Sequence, residues 1–187
     1  MSDAAAPVLI LSGPSGAGKT TTSRLLAATF DRSVHLRVDD FMPFVVNGWV
    51  EPWLPAAEHQ NHVLGGAAAA AALQFAEGGY TVVFDGYIFP EGLAGLAPWC
   101  ARRSVPLHYG VLRPDLATCT TRARRRRLDH PDDLDSFARL HARFADLGVR
   151  EANVVEATGT PEEVAATVRA AFLSGRLRVG AAPHRAL

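Results

Sequence analysis

Apolar residues along this chain fall into two rhythms. Short, mostly apolar runs occupy Val8 to Leu11, Val34 to Val38, Tyr80 to Phe84, Val105 to Leu112 and Asn153 to Val155. Such runs are too short for buried helices and predict strands of a sheet covered on both faces. Between them lie longer segments with helical spacing. Thr20 to Phe30 places Leu25, Leu26 and Phe30 on one face, and Glu58 to Gly78 carries an alanine tract. Glu91 to Arg103, with an interruption at Pro98, Asp133 to Leu147, and Pro161 to Leu173 read as further helices. Another opens at Pro114-Asp115. Pro161 sits in a first turn, where its missing N–H costs nothing. Phe41 to Pro55, broken by Pro43, Pro52 and Pro55, reads as irregular. From about residue 175 a loose tail is expected, with one short edge strand over Arg176 to Val179.

Strands alternating with helices predict an α/β fold with a five-stranded parallel sheet flanked by helices. Right-handed crossovers place ligands at the carboxyl ends of such strands. Three ends carry polar chemistry: the glycine-rich turn at Gly13, the pair Asp39-Asp40, and Asp85.

At 187 residues the chain is expected to form one domain, 1–187. The net charge is zero, which gives no global field for nucleic acid. Two cysteines, Cys100 and Cys119, make neither a disulfide framework nor a metal cluster. No apolar run reaches membrane-spanning length, and residues 1–7 have no basic region before an apolar stretch. A cytoplasmic protein, monomer or homodimer, is the expectation.

Against that background one residue stands out. Of 19 basic residues, 18 are arginine and one is Lys19. It closes the run Gly13, Pro14, Ser15, Gly16, Ala17, Gly18, Lys19, Thr20, a G-x-x-x-x-G-K-[ST] phosphate loop. The glycines permit close backbone approach, and the loop and helix-start N–H groups, through Thr21, point at anionic phosphate. A compact ammonium lies along β- and γ-phosphates where a forked guanidinium is too bulky. The cofactors implied are ATP and Mg²⁺, with Thr20 and Asp85 as metal contacts, since an apolar strand ending in an acid is the Walker B arrangement.

The remaining chemistry concerns the acceptor. A carboxylate at the end of the second strand, expected beside the first, can take the proton of an attacking hydroxyl. Strand alternation sends Asp39 and Asp40 to opposite sides, so one of the two is the base, and Asp39 is the stronger candidate. Arg122, Arg124, Arg125, Arg126 and Arg127 crowd a helix end before a breaker-rich stretch, as a lid over about 122–135 would. Arg122 and Arg126 share a face and are the pair chosen to stabilise the transferring phosphoryl group. Phe41, Phe44, Trp49, Trp53, Tyr87 and Phe89 are candidates for an acceptor pocket, with His59 and Asn61 nearby. Arg37, Arg102 and Arg103 would serve a nucleotide acceptor.

With these parts in place, the chain resembles the small P-loop kinases of the shikimate, gluconate and adenylate kinase group. Within it, the chain looks closest to chloramphenicol phosphotransferase-like proteins and to bacterial proteins labelled AAA-type ATPases. The likeness rests on Gly13 to Thr20, Val38-Asp39, Asp85-Gly86 and the arginine-rich lid, and reaches to about Ser174. It implies a nucleoside monophosphate kinase-like P-loop fold, with Asp39 as the base that activates a substrate hydroxyl. It also implies a base-cupping role for Glu156 to Pro161. The segment Trp49 to Pro55 departs from the chloramphenicol enzyme's pocket. The expected reaction is transfer of the γ-phosphate to a small-molecule hydroxyl, in an antibiotic, a sugar acid or a similar metabolite. A nucleoside or nucleotide kinase and a non-kinase P-loop ATPase are the alternatives.

Overall fold

The computed structural model describes residues 5–125 and 134–180. Five strands, β1 (Val8–Ser12), β2 (Ser33–Arg37), β3 (Thr81–Asp85), β4 (Leu107–Leu112) and β5 (Val154–Val155), form one sheet in the order β2-β3-β1-β4-β5. Every pairing between them is parallel. The helices are α1 (Lys19–Ala27), α2 (Glu58–Glu77), α3 (Pro90–Arg102), α4 (Leu116–Arg125), α5 (Leu134–Ala142) and α6 (Pro161–Leu173).

The two sheet faces bury different partners. Val8, Ile10, Val82 and Phe84 pack with Ala68, Ala72 and Leu73 of α2 and with Leu93 and Leu96 of α3. Leu9, Leu11 and Val83 pack with Leu26 of α1 and with Val164, Val168 and Phe172 of α6. Alternation along each strand therefore serves two cores, as a doubly covered parallel sheet requires.

Several expectations need correction. β2 does not lie beside β1, because β3 is inserted between them. β2 also stops at Arg37, and Val38–Phe44 is a 3₁₀ helix that carries the chain over the carboxyl edge of the sheet. Helix α3 runs unbroken through Pro98. Ala94 and Pro98 are exposed there, so water can take the carbonyl that the proline leaves without an N–H partner. Helix α1 ends at Ala27 rather than Phe30, tightening through Thr29 N–H to the Leu26 carbonyl and Phe30 N–H to the Ala27 carbonyl.

The segment after α6 is packed rather than loose as far as residue 180. Leu177 is fully buried. Tyr109 N–H donates to the Leu177 carbonyl at 2.8 Å and Val179 N–H to the Leu107 carbonyl at 2.9 Å. The bridge between His108 and Arg178 is antiparallel. Residues 181–187 lie outside the described residues.

Glycines within two helices affect the shape of the catalytic edge. Gly65 and Gly66 lie inside α2, and Gly92 and Gly95 inside α3. Glycine in a helix interior costs about 0.5–1 kcal/mol relative to alanine. A Cβ at residue 65, 66 or 95 would meet nothing within 4 Å.

Candidate active site

The phosphate loop joins β1 to α1 and is held by backbone that only glycine permits at two points. Gly13 has φ +143° and Gly16 φ +76°. A Cβ at Gly13 would run into the Leu112 carbonyl oxygen, and one at Gly16 into the Cys119 carbonyl oxygen. The loop thus nests directly on the ends of β4 and α4. Replacing Gly16 by alanine is expected to lower stability by ~1–3 kcal/mol through backbone strain. Urea unfolding with an unchanged m-value would measure it.

Gly18 is the N-cap of α1, and no side chain caps it. The first turn therefore presents its N–H groups toward an anion. Lys19 is 8% exposed. Its ammonium donates to the carbonyls of Gly13 at 2.8 Å and Pro14 at 3.0 Å, and lies 3.9 Å from the centre of the Tyr87 ring. Arg122 of α4 reaches the loop from the other side, its Nη1 donating to the Ala17 carbonyl at 3.4 Å. Arg126 and Arg127, together with most of the expected lid, lie outside the described residues.

Of the loop, Ser15, Gly16, Gly18, Lys19 and Thr20 line a cleft of about 2090 Å³. Ala17 instead packs into the core. Gly13 and Pro14 turn their carbonyls to Lys19, and Thr21, in the first turn of α1, is not part of the lining. Asp39 and Asp85 enter the same cleft from the 3₁₀ helix and the end of β3.

The two adjacent aspartates separate cleanly. Asp39 faces the cleft, and burial pushes its carboxyl above the ordinary value. Lys19 opposes that rise, the nearby Asp85 adds to it, and Arg37 and Asp40 act more weakly in opposite senses. Asp40 is exposed and pairs with Arg37 at 3.3 Å. Asp85 is buried, with one carboxylate oxygen 3.4 Å from His35 Nε2 on β2.

The donor set suits Mg²⁺ bound with substrate. Thr20 offers a hydroxyl and Asp85 a carboxylate, and among the described residues no group of three or more His, Cys, Asp or Glu side chains is poised to hold a metal. Mg²⁺ retains waters and takes phosphate oxygens, so one or two protein oxygens suffice. Among the described residues the cleft lining offers no closed set of nitrogen and sulfur ligands, which zinc prefers.

The outer part of the cleft comes from distant pieces of chain. Trp49 and Trp53 stand on the segment before α2, Tyr87 and Phe89 follow β3, Trp99 lies on α3, Phe137 and Arg139 lie on α5, and Arg143 directly follows it. Gln60 fixes the first of these segments. Its amide accepts from Val50 N–H at 2.9 Å and donates to the Val50 carbonyl at 2.7 Å. Asn61 donates to the Pro52 carbonyl at 2.8 Å. Arg143 pairs with Glu91 at 2.8 Å and lies over the Phe89 ring.

Some expected site residues are elsewhere. Phe41, Phe44 and His59 do not line the cleft, and neither do Arg102 and Arg103; Phe41 packs against the core instead. Arg103 pairs with Glu77 at 2.9 Å. Thr160 and Glu163 form a capping box that starts α6, and Glu156 to Pro161 is not part of the lining. The residues missed from the sequence are His35, Trp99, Phe137, Arg139 and Arg143. Only the strand order and the return of α5 over the sheet edge bring them in.

Fold and loop together define the class: an α/β protein of the P-loop kinase type. Comparison with known proteins gives the family. The AAA domain family matches residues 8–147, and the chain belongs to it. No curated protein matches its sequence. Among solved structures, it is similar to the tunicamycin resistance protein of Deinococcus radiodurans, at 17% identity and TM-score 0.65, over 94% of this chain and 99% of that one. It is similar to the APS kinase of Mycobacterium tuberculosis bound to AMPPNP and APS, at 16% identity and TM-score 0.65, over 90% and 98%. A sugar kinase from Janibacter sp. HTCC2649 aligns at 17% identity and TM-score 0.61, over 89% and 93%. At such identities the likeness is one of fold.

Proposed function

We propose that the chain is an ATP-dependent phosphotransferase that moves the γ-phosphate to a hydroxyl of a small molecule. The observation that carries this reading is Asp39. It is a shielded carboxyl of raised proton affinity, in one cleft with the phosphate-loop Lys19 and Thr20. Bound ATP supplies the transferable phosphoryl group, and Mg²⁺ neutralises charge on its oxygens. The loop N–H groups would hold the phosphates, and Thr20 and Asp85 would hold the metal. Lys19 turns from the Gly13 and Pro14 carbonyls toward the β- and γ-oxygens. Arg122, already at the loop, adds positive charge where negative charge spreads in the transition state. Asp39 accepts the acceptor's hydroxyl proton on a carboxylate oxygen as the acceptor's own oxygen bonds to the γ-phosphorus, the bond from that phosphorus to the β–γ bridging oxygen breaks, and ADP leaves.

The printed functions of the structural neighbours support a kinase: a sugar kinase, and an APS kinase bound to AMPPNP. A nucleotide acceptor is the weaker reading, because of the three arginines that would serve it only Arg37 lines the cleft, and Arg102 and Arg103 do not.

The reading is tested by ADP release, coupled to NADH oxidation, across a panel of sugars, sugar acids, nucleosides and hydroxylated antibiotics. Release should depend on one acceptor class and should vanish without Mg²⁺. An ATPase rate indifferent to every acceptor speaks for the non-kinase alternative.

A further inference from the structure

We propose that the outer half of the cleft is a subsite for an acceptor carrying a flat, apolar ring, with its hydroxyl directed to Asp39. This rests on the kinase reading and names its substrate class.

All three tryptophans of the chain line this one cleft. Trp49, Trp53 and Trp99 remain 38%, 54% and 42% exposed there. Tryptophan carries more buriable apolar area than any other side chain. The two cores of the protein use none of it; the indoles instead line the cleft that also holds Lys19 and Asp39, with the Arg103 guanidinium 5.8 Å from the Trp99 ring centre.

The wall between the indoles has been kept low. Gly65 and Gly66 of α2 and Gly92 and Gly95 of α3 all line the cleft. Backbone conformation does not call for glycine at these positions, since positive φ angles occur elsewhere. Packing does not call for it at 65, 66 and 95, where a Cβ would meet nothing within 4 Å. Each glycine weakens its helix, and what each preserves is room beside Trp99 and opposite the tryptophan segment. Gly95 and Trp99 are one helical turn apart and share a face.

The tryptophan segment is also held in advance of binding. It has little regular structure, yet Gln60 grips both backbone groups of Val50 and Asn61 grips Pro52. Holding Trp49 and Trp53 from the start of α2 reduces the ordering needed on binding, and so favours a rigid ring ligand. A small polyol or sugar acid would instead need a dense set of donors and acceptors. The cleft's charged groups, Lys19, Arg37, Arg139 and Arg143 against Asp39, Glu51, Asp85 and Glu91, are of mixed sign and serve orientation.

Binding to two matched pairs of probes tests the proposal by calorimetry. The pairs are methyl and phenyl β-D-glucopyranoside, and 1,2-propanediol and 1-phenyl-1,2-ethanediol. In at least one pair the aryl member should bind the intact protein ten-fold or more tightly than its alkyl partner. Gly65→Leu, which fills the open space, should bring that ratio below two, with Tm not lowered and affinity for the Mg²⁺ complex of ATP within two-fold of wild type. Trp49→Ala, at an exposed side chain, should cut the ratio at least three-fold. A ratio below ten in both pairs on the intact protein overturns the proposal, as does an aryl advantage that survives in Gly65→Leu. The readout is binding rather than turnover, so the two readings fail separately. An aryl preference without acceptor-dependent ADP release ends the kinase reading and keeps the subsite. Phosphorylation of the methyl glucoside with no aryl preference does the reverse.

Discussion

Asp39→Asn is expected to bind ATP as the wild type does and to transfer phosphate ~10²–10⁴-fold more slowly, the usual contribution of a positioned general base. The asparagine keeps the shape of the carboxyl and loses its negative charge and its proton affinity. The side chain lies in the cleft with Lys19 and Asp85, so a large change in nucleotide affinity would mean that Asp39 holds the metal instead. Two further results follow from its raised pKa. The acid limb of the wild-type kcat/KM profile should fall above the ordinary aspartate value of about 3.9, and the variant should lack that limb. Stability should move the opposite way from activity. In the unfolded chain Asp39 ionises near its ordinary value, whereas in the folded chain it ionises higher, so its ionisation favours unfolding as pH rises through that window. Asp39→Asn should therefore match wild type in Tm below the window and exceed it at neutral pH.

Lys19→Ala is expected to lose both nucleotide affinity and rate, with the rate falling by ~10²–10³-fold, as for removal of one preorganised charge-stabilising donor. The buried ammonium donates to the two loop carbonyls of Gly13 and Pro14, so its removal also loosens the loop it serves. Lys19→Arg separates charge from shape. A guanidinium at a position only 8% exposed cannot follow the same path, and the arginine variant should recover less than a tenth of the lost rate. Equilibrium titration with a fluorescent ATP analogue, beside the coupled assay, gives both quantities.

The parts legible in the sequence are those whose chemistry forces neighbouring residues together. A phosphate loop must be contiguous, because successive backbone N–H groups wrap one anion, so Gly13 to Thr20 declares itself. The strand–helix alternation is legible for a similar reason, since each strand is buried on both faces. Strand order is not contiguous information. Nothing near Asp39 says that β3 will stand between β2 and β1, or that His35 will meet Asp85. Trp99 and Arg143 reach the cleft from 50 and 94 residues beyond Trp49, held there by packing on the sheet. Gln60 shows the limit most plainly. A polar residue at a helix start looks like an ordinary solvated position until its amide is seen holding both backbone groups of Val50.

The most direct test is the fate of labelled phosphate from [γ-³²P]ATP in the acceptor panel. Phosphotransfer requires label to appear in a hydroxyl compound at the rate of ADP formation, in wild type, and ~10²-fold or more slowly in Asp39→Asn. Label released only as inorganic phosphate, at one rate whatever the acceptor and equally in both proteins, would contradict the account.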